Sequence, residues 1–168
     1  MLFRSALPVT IVAGFISPSS WGYIGADTAA VSDDIYGLVT TPKVAKFGNT
    51  LVGFAGSFKE GKRAFYALER QTYGSAAAYL ERNWRKDDYG ETEFLILEQG
   101  KVYELGNDGA LLELARDYGA IGNGAGVALG ALGMQHISLK CLREALAVVE
   151  AHVPQIRSPF VTLETVWL

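Results

Sequence analysis

One cysteine, two histidines and two methionines are all that 168 residues offer as sulfur or imidazole ligands. A lone Cys141 excludes an internal disulfide and a thiolate-rich zinc site, and it is compatible with a reducing compartment. His136 and His152 cannot build a multi-histidine metal centre, which leaves only carboxylates, as for magnesium or calcium. Basic residues are not in excess: 15 Lys and Arg stand against 18 Asp and Glu, a net charge of −3. That balance argues against a general nucleic-acid binder, which needs a basic footprint to displace counterions. Prolines are few, five against 19 glycines, and the glycines follow no collagen period. There is no solenoid repeat, no low-complexity segment and no Gly-x-Ser-x-Gly elbow. The apolar run from Ala6 to Ile16 behind Arg4 has the outline of a signal peptide. It is too short to cross a bilayer as a helix. Pro8, Gly14 and the β-branched Val9, Thr10, Ile11 and Val12 suit a strand better.

What is present is core material. The chain is 49% hydrophobic and 20% charged, a composition that buries itself and does not stay disordered. Its length fits one domain over residues 1–168. The first third reads as β structure: Val9 to Ile16, Trp21 to Asp27, a bent strand from Thr28 to Val39, and Thr41 to Phe47. After a Gly48-Asn49 turn comes the apolar run Thr50 to Gly56, whose unbroken apolarity predicts cover on both faces. Phe58 to Gln71 and a segment capped by Ser75 through Lys86 read as helices. Asp87 to Gly90 reads as a solvated connection, and Glu93 to Leu105 as a hairpin turning at Gln99-Gly100. A strand near Leu111 to Ala115 and another from Tyr118 lead into a glycine-rich turn ending at Gly126. Val127 to Gln135 and Ser138 to Val153 are two more helices, and Phe160 to Trp167 returns to β alternation. Runs of strands separated by runs of helices predict α+β layering, two stacked sheets with helices outside each: a four-layer α-β-β-α sandwich.

Candidate chemistry is sparse. Gly119 to Gly126 precedes a helix, but no Lys-Ser/Thr follows and the run sits in no first βα unit, so close strand–helix packing explains it better than a phosphate. Its N–H groups could still stabilise an oxyanion. The separation of Asp27 and Lys43 permits adjacent strands to bring them together. A carboxylate and an ammonium brought together can support a nucleophile, whereas on spacing alone an exposed ion pair, worth little, is the commoner outcome. His136 and His152 have no partner motif and read as structural. Cys141 reads as a buried small hydrophobe on a helix. Burial is the default for the rings of Phe58, Phe65, Tyr66 and Tyr79.

Taken in order, several segments resemble the proteasome-like N-terminal-nucleophile (Ntn) hydrolases, with the heat-shock-locus V (HslV) peptidase and small phage and bacterial relatives of the proteasome β-subunit as the nearest likeness. They are Val9-Thr-Ile-Val-Ala13, Tyr23-Ile-Gly-Ala-Asp-Thr-Ala29, Pro42-Lys-Val-Ala-Lys-Phe47, Leu51-Val-Gly-Phe-Ala-Gly-Ser57, Tyr118-Gly-Ala-Ile-Gly-Asn-Gly124 and Ala128-Leu-Gly-Ala-Leu132. The likeness runs through almost the whole chain after residue 8. It implies the same four-layer sandwich and a threonine-type peptidase or amidase needing no cofactor and no metal. It also implies a nucleophile whose own α-amine is the proton acceptor. Carried over by position, Thr10 is the nucleophile, Lys43 keeps it reactive and Asp27 holds Lys43. Gly56, Asn123 and Gly124 border the cleft and the oxyanion, with Ser158 as a supporting hydroxyl.

Two departures stand out. Relatives often carry serine where this chain has Asn123, and direct matching of the first strand puts Val9 at the nucleophile position, with Thr10 second. Only Thr10 is chemically competent, and only once the chain ahead of it is removed. Residues 1–8 are accordingly read as a propeptide or non-native extension. The resemblance further implies a peptide or protein substrate, a homo-oligomeric ring, a separate ATP-driven unfoldase and a cytoplasmic location, with no nucleic acid and no membrane. A ring subunit that keeps the fold without catalysis is the alternative, and a secreted or small-molecule-binding α+β domain is a third.

Overall fold

The computed structural model describes residues 10–31, 36–38, 42–71 and 74–167. Along the chain run β1 (Ile11–Ile16), β2 (Trp21–Ala26), β3 (Ala29–Val31), β4 (Tyr36–Leu38), β5 (Val44–Phe47) and β6 (Thr50–Gly56). Helices α1 (Phe58–Arg70), α2 (Ala76–Asn83) and α3 (Lys86–Tyr89) follow. Then come β7 (Thr92–Glu98), β8 (Lys101–Leu105), β9 (Leu111–Glu113) and β10 (Tyr118–Gly122). Helices α4 (Ala125–Met134) and α5 (Leu139–His152) precede the last strand, β11 (Val161–Val166).

The strands form two larger antiparallel sheets, ordered β10-β1-β2-β11 and β5-β6-β7-β8-β9, and a β3-β4 pair. Strand β1 is buried throughout, and its alternation divides it between two cores. Ile11, Ala13 and Phe15 face Leu132, Leu142, Leu146 and Val149 of α4 and α5. Val12 and Ile16 face the other sheet, with Ile24, Leu51, Leu95, Leu97 and Val102. The outer face of β6 and β7 packs Val52, Phe54, Phe94 and Ile96 against Ala64 and Leu68 of α1 and Ala77 and Leu80 of α2. The layers are therefore helix, sheet, sheet, helix, as the element order predicts. Gly53 sets the sheet separation locally: a Cβ there would lie 2.4 Å from Val12 Cγ1.

Three local expectations need correction. The helix expected from Ser75 to Lys86 stops at Asn83, because Trp84 adopts extended backbone. The connection expected at Asp87 to Gly90 is instead the one-turn helix α3 and the residue after it. Tyr89 there is buried and its ring meets Phe94 edge-on at 5.9 Å. One aromatic anchor among charged neighbours is enough to turn a polar stretch inward, and no periodicity announces it. The single bent strand from Thr28 to Val39 is a pair of strands, with Ala29 opposite Leu38, and residues 32–35 and 39 of that expectation, like residue 41 of the next, lie outside the described residues. No helix among the described residues is long and apolar enough to cross a membrane.

Candidate active site

Register brings six strand ends to one edge of the space between the sheets. Ile11 lies opposite Gly122, Val12 opposite Ala26, Val44 opposite Gly53, and Gly56 opposite Thr92. Thr10, Asp27, Lys43, Gly56 and the turn at Gly122–Gly124 therefore converge.

Asp27 is the centre of the convergence. Its Oδ1 accepts the Ile11 N–H at 3.2 Å and the Lys43 ammonium at 2.8 Å, and its Oδ2 accepts the Ala29 N–H at 3.3 Å. Lys43 Nζ also donates to the Ala29 carbonyl at 2.6 Å and stands 5.8 Å from the centre of the Phe58 ring. Side-chain exposure is 1% for Lys43 and 0% for Asp27. The exposed ion pair that spacing alone favours is thus wrong. Nor do adjacent strands bring them together: Asp27 follows β2 and Lys43 precedes β5, strands of different sheets, so the pair is covered between the sheets, and Phe58 helps to cover the amine. Burial raises the Asp27 carboxyl above its ordinary value, with the Lys43 charge and the hydrogen bonds pulling it back. Burial likewise lowers the Lys43 amine, with Asp27 opposing. A desolvated, hydrogen-bonded pair in which each charge is held at a cost is the type of arrangement found at reactive centres.

Thr10 sits beside this pair. It is 3% exposed, and its carbonyl accepts the Asn123 N–H at 2.7 Å. The alternation of β1, extended by one residue, carries its side chain to the face of Val12, between the sheets. Gly122 fits closely behind it: its φ is +91°, and a Cβ there would lie 2.1 Å from the Thr10 oxygen. Gly124, with φ of +77°, is the cap residue of α4, so the glycine run packs a strand end against a helix start. Val9, the other candidate for the nucleophile position, and the segment 1–8 lie outside the described residues.

Ser158 is exposed, and its N–H and hydroxyl both go to the Glu150 carboxylate, the hydroxyl at 3.4 Å from Oε1. Its neighbours are tied to the residue after Asp27: Thr28 N–H donates to the Arg157 carbonyl at 3.3 Å, and Thr28 Oγ1 to the Pro159 carbonyl at 2.9 Å. Glu150 is the acidic companion of Ser158 that sequence reading missed. It lies in the last turns of α5, and only its position one turn before the chain doubles back could have marked it.

The remaining candidates lie elsewhere in the fold. His136 Nδ1 is 2.7 Å from the Leu132 carbonyl, and the ring packs by Phe15 and Tyr118. His152 Nδ1 is 2.8 Å from the Val148 carbonyl in the last turn of α5. Cys141 is buried in the α4–α5 core. No group of three or more His, Cys, Asp or Glu side chains that could hold a metal ion occurs among the described residues.

The sequence matches no protein-family model and no curated protein. The fold does match solved structures. Thiobacillus denitrificans BPH superposes with a TM-score of 0.74 at 14% identity, over 93% of this chain and 97% of that one. The same protein in complex with epoxomicin gives 0.75 at 14% identity, over 93% and 98%. Eukaryotic HslV from Trypanosoma brucei gives 0.75 at 16% identity, over 95% and 100%. The chain adopts the fold of these structures over nearly all of its length.

Proposed function

We propose that this chain is a proteasome-like Ntn hydrolase, a threonine-type peptidase or amidase that cleaves peptide bonds after its own Val9–Thr10 bond is cut. The observation that carries the reading is one carboxylate oxygen. Asp27 Oδ1 holds both the Lys43 ammonium and the N–H of Ile11, the residue after Thr10. The buried ion pair is thereby fixed against the candidate nucleophile. The fold shared with HslV-type proteins and the epoxomicin bound by Thiobacillus denitrificans BPH support the same reading.

In this mechanism, Thr10 at the mature N-terminus supplies both hydroxyl and amine. An α-amine titrates at about 7.7–8.0, and its neutral form, favoured by the nearby Lys43 charge, accepts the hydroxyl proton as Oγ1 attacks the substrate carbonyl. The Lys43 charge, held by Asp27, favours the developing alkoxide. Gly56 takes the oxyanion role in this reading, which the N–H direction along β6 supports. Phe54 N–H donates to the Lys43 carbonyl at 2.9 Å, so the N–H two residues on is directed past the start of β5, on the Lys43 side. Asn123 and Gly124 border the cleft, with the Asn123 N–H engaged in holding Thr10. Collapse of the tetrahedral adduct breaks the C–N bond, and the amine product leaves with the proton. Water then hydrolyses the Thr10 ester and restores the hydroxyl. Ser158, with Glu150, supports this edge through Thr28.

The reading extends to a cytoplasmic homo-oligomeric ring acting on peptides or proteins, fed by a separate ATP-driven unfoldase, with residues 1–9 as a removed segment. Intact-mass analysis of the purified protein tests it first. The expected species begins at Thr10, gains the mass of one epoxomicin on incubation, and hydrolyses peptides. Thr10→Ala should remain uncut, unlabelled and inactive. A wild-type chain that keeps its leader and never labels would leave the alternative, a ring subunit of this fold without catalysis.

A further inference from the structure

Ser57 and Glu60 spell a capping box at the start of α1. Half of it forms: Ser57 Oγ accepts the Glu60 N–H at 3.3 Å. The carboxylate that would return to the cap instead leaves the helix. Glu60 Oε1 accepts the Glu91 N–H at 3.0 Å and the Thr92 hydroxyl at 2.8 Å. Glu60 is 8% exposed and Thr92 is 0% exposed. Burying a carboxylate on two neutral donors is costly compared with a neutral acceptor doing the same work.

Those two donors belong to the wall against which Gly56 is set. Thr92 is the register partner of Gly56. Gly56 has φ of +135°, and a Cβ on it would lie 2.1 Å from the Glu91 carbonyl oxygen and 2.8 Å from Thr92 Cα. The Gly56 backbone therefore rests directly on the Glu91–Thr92 peptide, and Glu60 ties the groups on either side of that peptide, the Glu91 N–H and the Thr92 hydroxyl.

We infer that Glu60 is a positioning residue that sets the direction of the Gly56 N–H through Glu91 and Thr92, without touching substrate. The inference rests on the oxyanion role given to Gly56 above. A misplacement of about 1 Å at such a donor costs on the order of 100-fold in rate.

The test pairs crystal structures with kinetics for Glu60→Ala and Glu60→Gln. In Glu60→Ala the Gly56 nitrogen is expected to shift by on the order of 1 Å, with kcat falling about 10- to 1,000-fold, as for loss of an oxyanion donor, and KM nearly unchanged. Glu60→Gln, whose amide oxygen can accept both bonds, should keep the wild-type position and kcat. If Glu60→Ala leaves Gly56 in place, the inference fails whatever the wild-type activity. It also fails if Glu60→Gln keeps the geometry yet loses as much kcat, because charge would then be the agent. If Gly56 moves but the wild-type protein hydrolyses nothing, the hydrolase reading fails and the positioning role stands. Should Glu60→Ala not fold, Thr92→Val removes one of the two donors at constant shape. It must show a smaller shift of Gly56 in the same place, and an unmoved Gly56 there overturns the inference.

Discussion

Asp27 and Lys43 make opposite demands on stability and chemistry. Neither is more than 1% exposed, and desolvation leads the shift of each. Removing one partner strands the other charge. Lys43→Met alone should cost about 3–5 kcal/mol, and adding Asp27→Asn should recover part of that loss by removing the stranded charge, while one of the backbone N–H groups held by Asp27 is left unsatisfied, as read by urea denaturation. The pH dependence has two arms. Lys43 titrates below its ordinary 10.5 in the folded chain, so the unfolded chain binds more protons in the window beneath 10.5, and stability rises with pH there. Asp27 titrates above its ordinary 3.8, so the folded chain binds more protons in the window above 3.8, and stability falls as pH rises through it. The pair therefore costs most near neutrality. The unfolding free energy of wild type minus that of the double variant should be lowest there and climb toward both acid and alkali. A flat difference would mean that the ion pair fully offsets its desolvation. Both single variants should abolish peptide hydrolysis, and the double variant should stay folded and inactive.

At the scale of elements, the site depends on how strands hand over to turns. Gly122 pairs with Ile11 in register and presses on the Thr10 carbonyl. Gly122→Ala combines a positive φ with a 2.1 Å approach to backbone, and nothing flexible can yield. It should destabilise by more than the roughly 0.4–1 kcal/mol by which alanine stabilises at compatible glycine sites, and lower epoxomicin labelling of Thr10 in the folded protein. Gly126→Ala is the control: no atom lies within 4 Å of its added Cβ, it sits on an exposed helical face, and it should stabilise slightly. These contrasts mark what the sequence carried. Continuous apolarity in Ile11–Ile16 and Thr50–Gly56, and the helical spacing of Leu139, Leu142, Leu146 and Val149, made the layers legible because burial imposes period on sequence. Asp27 and Lys43 were legible as a pair, but their burial was not, since no local pattern says that a strand end will be covered. Tyr89, Glu60 and Glu150 escaped for a related reason. Each acts through a tertiary partner: Tyr89 through Phe94, Glu60 through Thr92 and Glu150 through Ser158. A single polar or aromatic residue has no period to read.

Over the whole molecule, the site works only if two sheets keep their spacing, because Thr10 and Asp27 belong to one sheet and Lys43 and Gly56 to the other. The contact that sets that spacing lies one layer inward. Gly53 of β6 and Val12 of β1 meet there, and a Cβ added to Gly53 would also lie 3.1 Å from Val44 Cγ1 and 3.2 Å from Ile24 Cδ1. A methyl group at Gly53 must push Val12 away, and both neighbours close the lateral escape. Gly53→Ala should therefore cost about 1–3 kcal/mol, the usual penalty of overpacking. It should also pull Lys43 away from Asp27 by widening the gap between β1 and β6. Val12→Ala alone opens a small cavity and is destabilising too. If the two sheets are held apart by this one contact, the double variant is better than the sum of its parts, because the new methyl group fills the space that Val12 vacates. A coupling of about 0.5–3 kcal/mol in the favourable direction is the range for residues in contact. Epoxomicin labelling of Thr10 should follow the same order, poorest in Gly53→Ala and partly restored in the double variant. Additive losses in urea denaturation, with labelling unchanged throughout, would show that the edge holding Thr10, Asp27 and Lys43 is insulated from the core that separates the sheets.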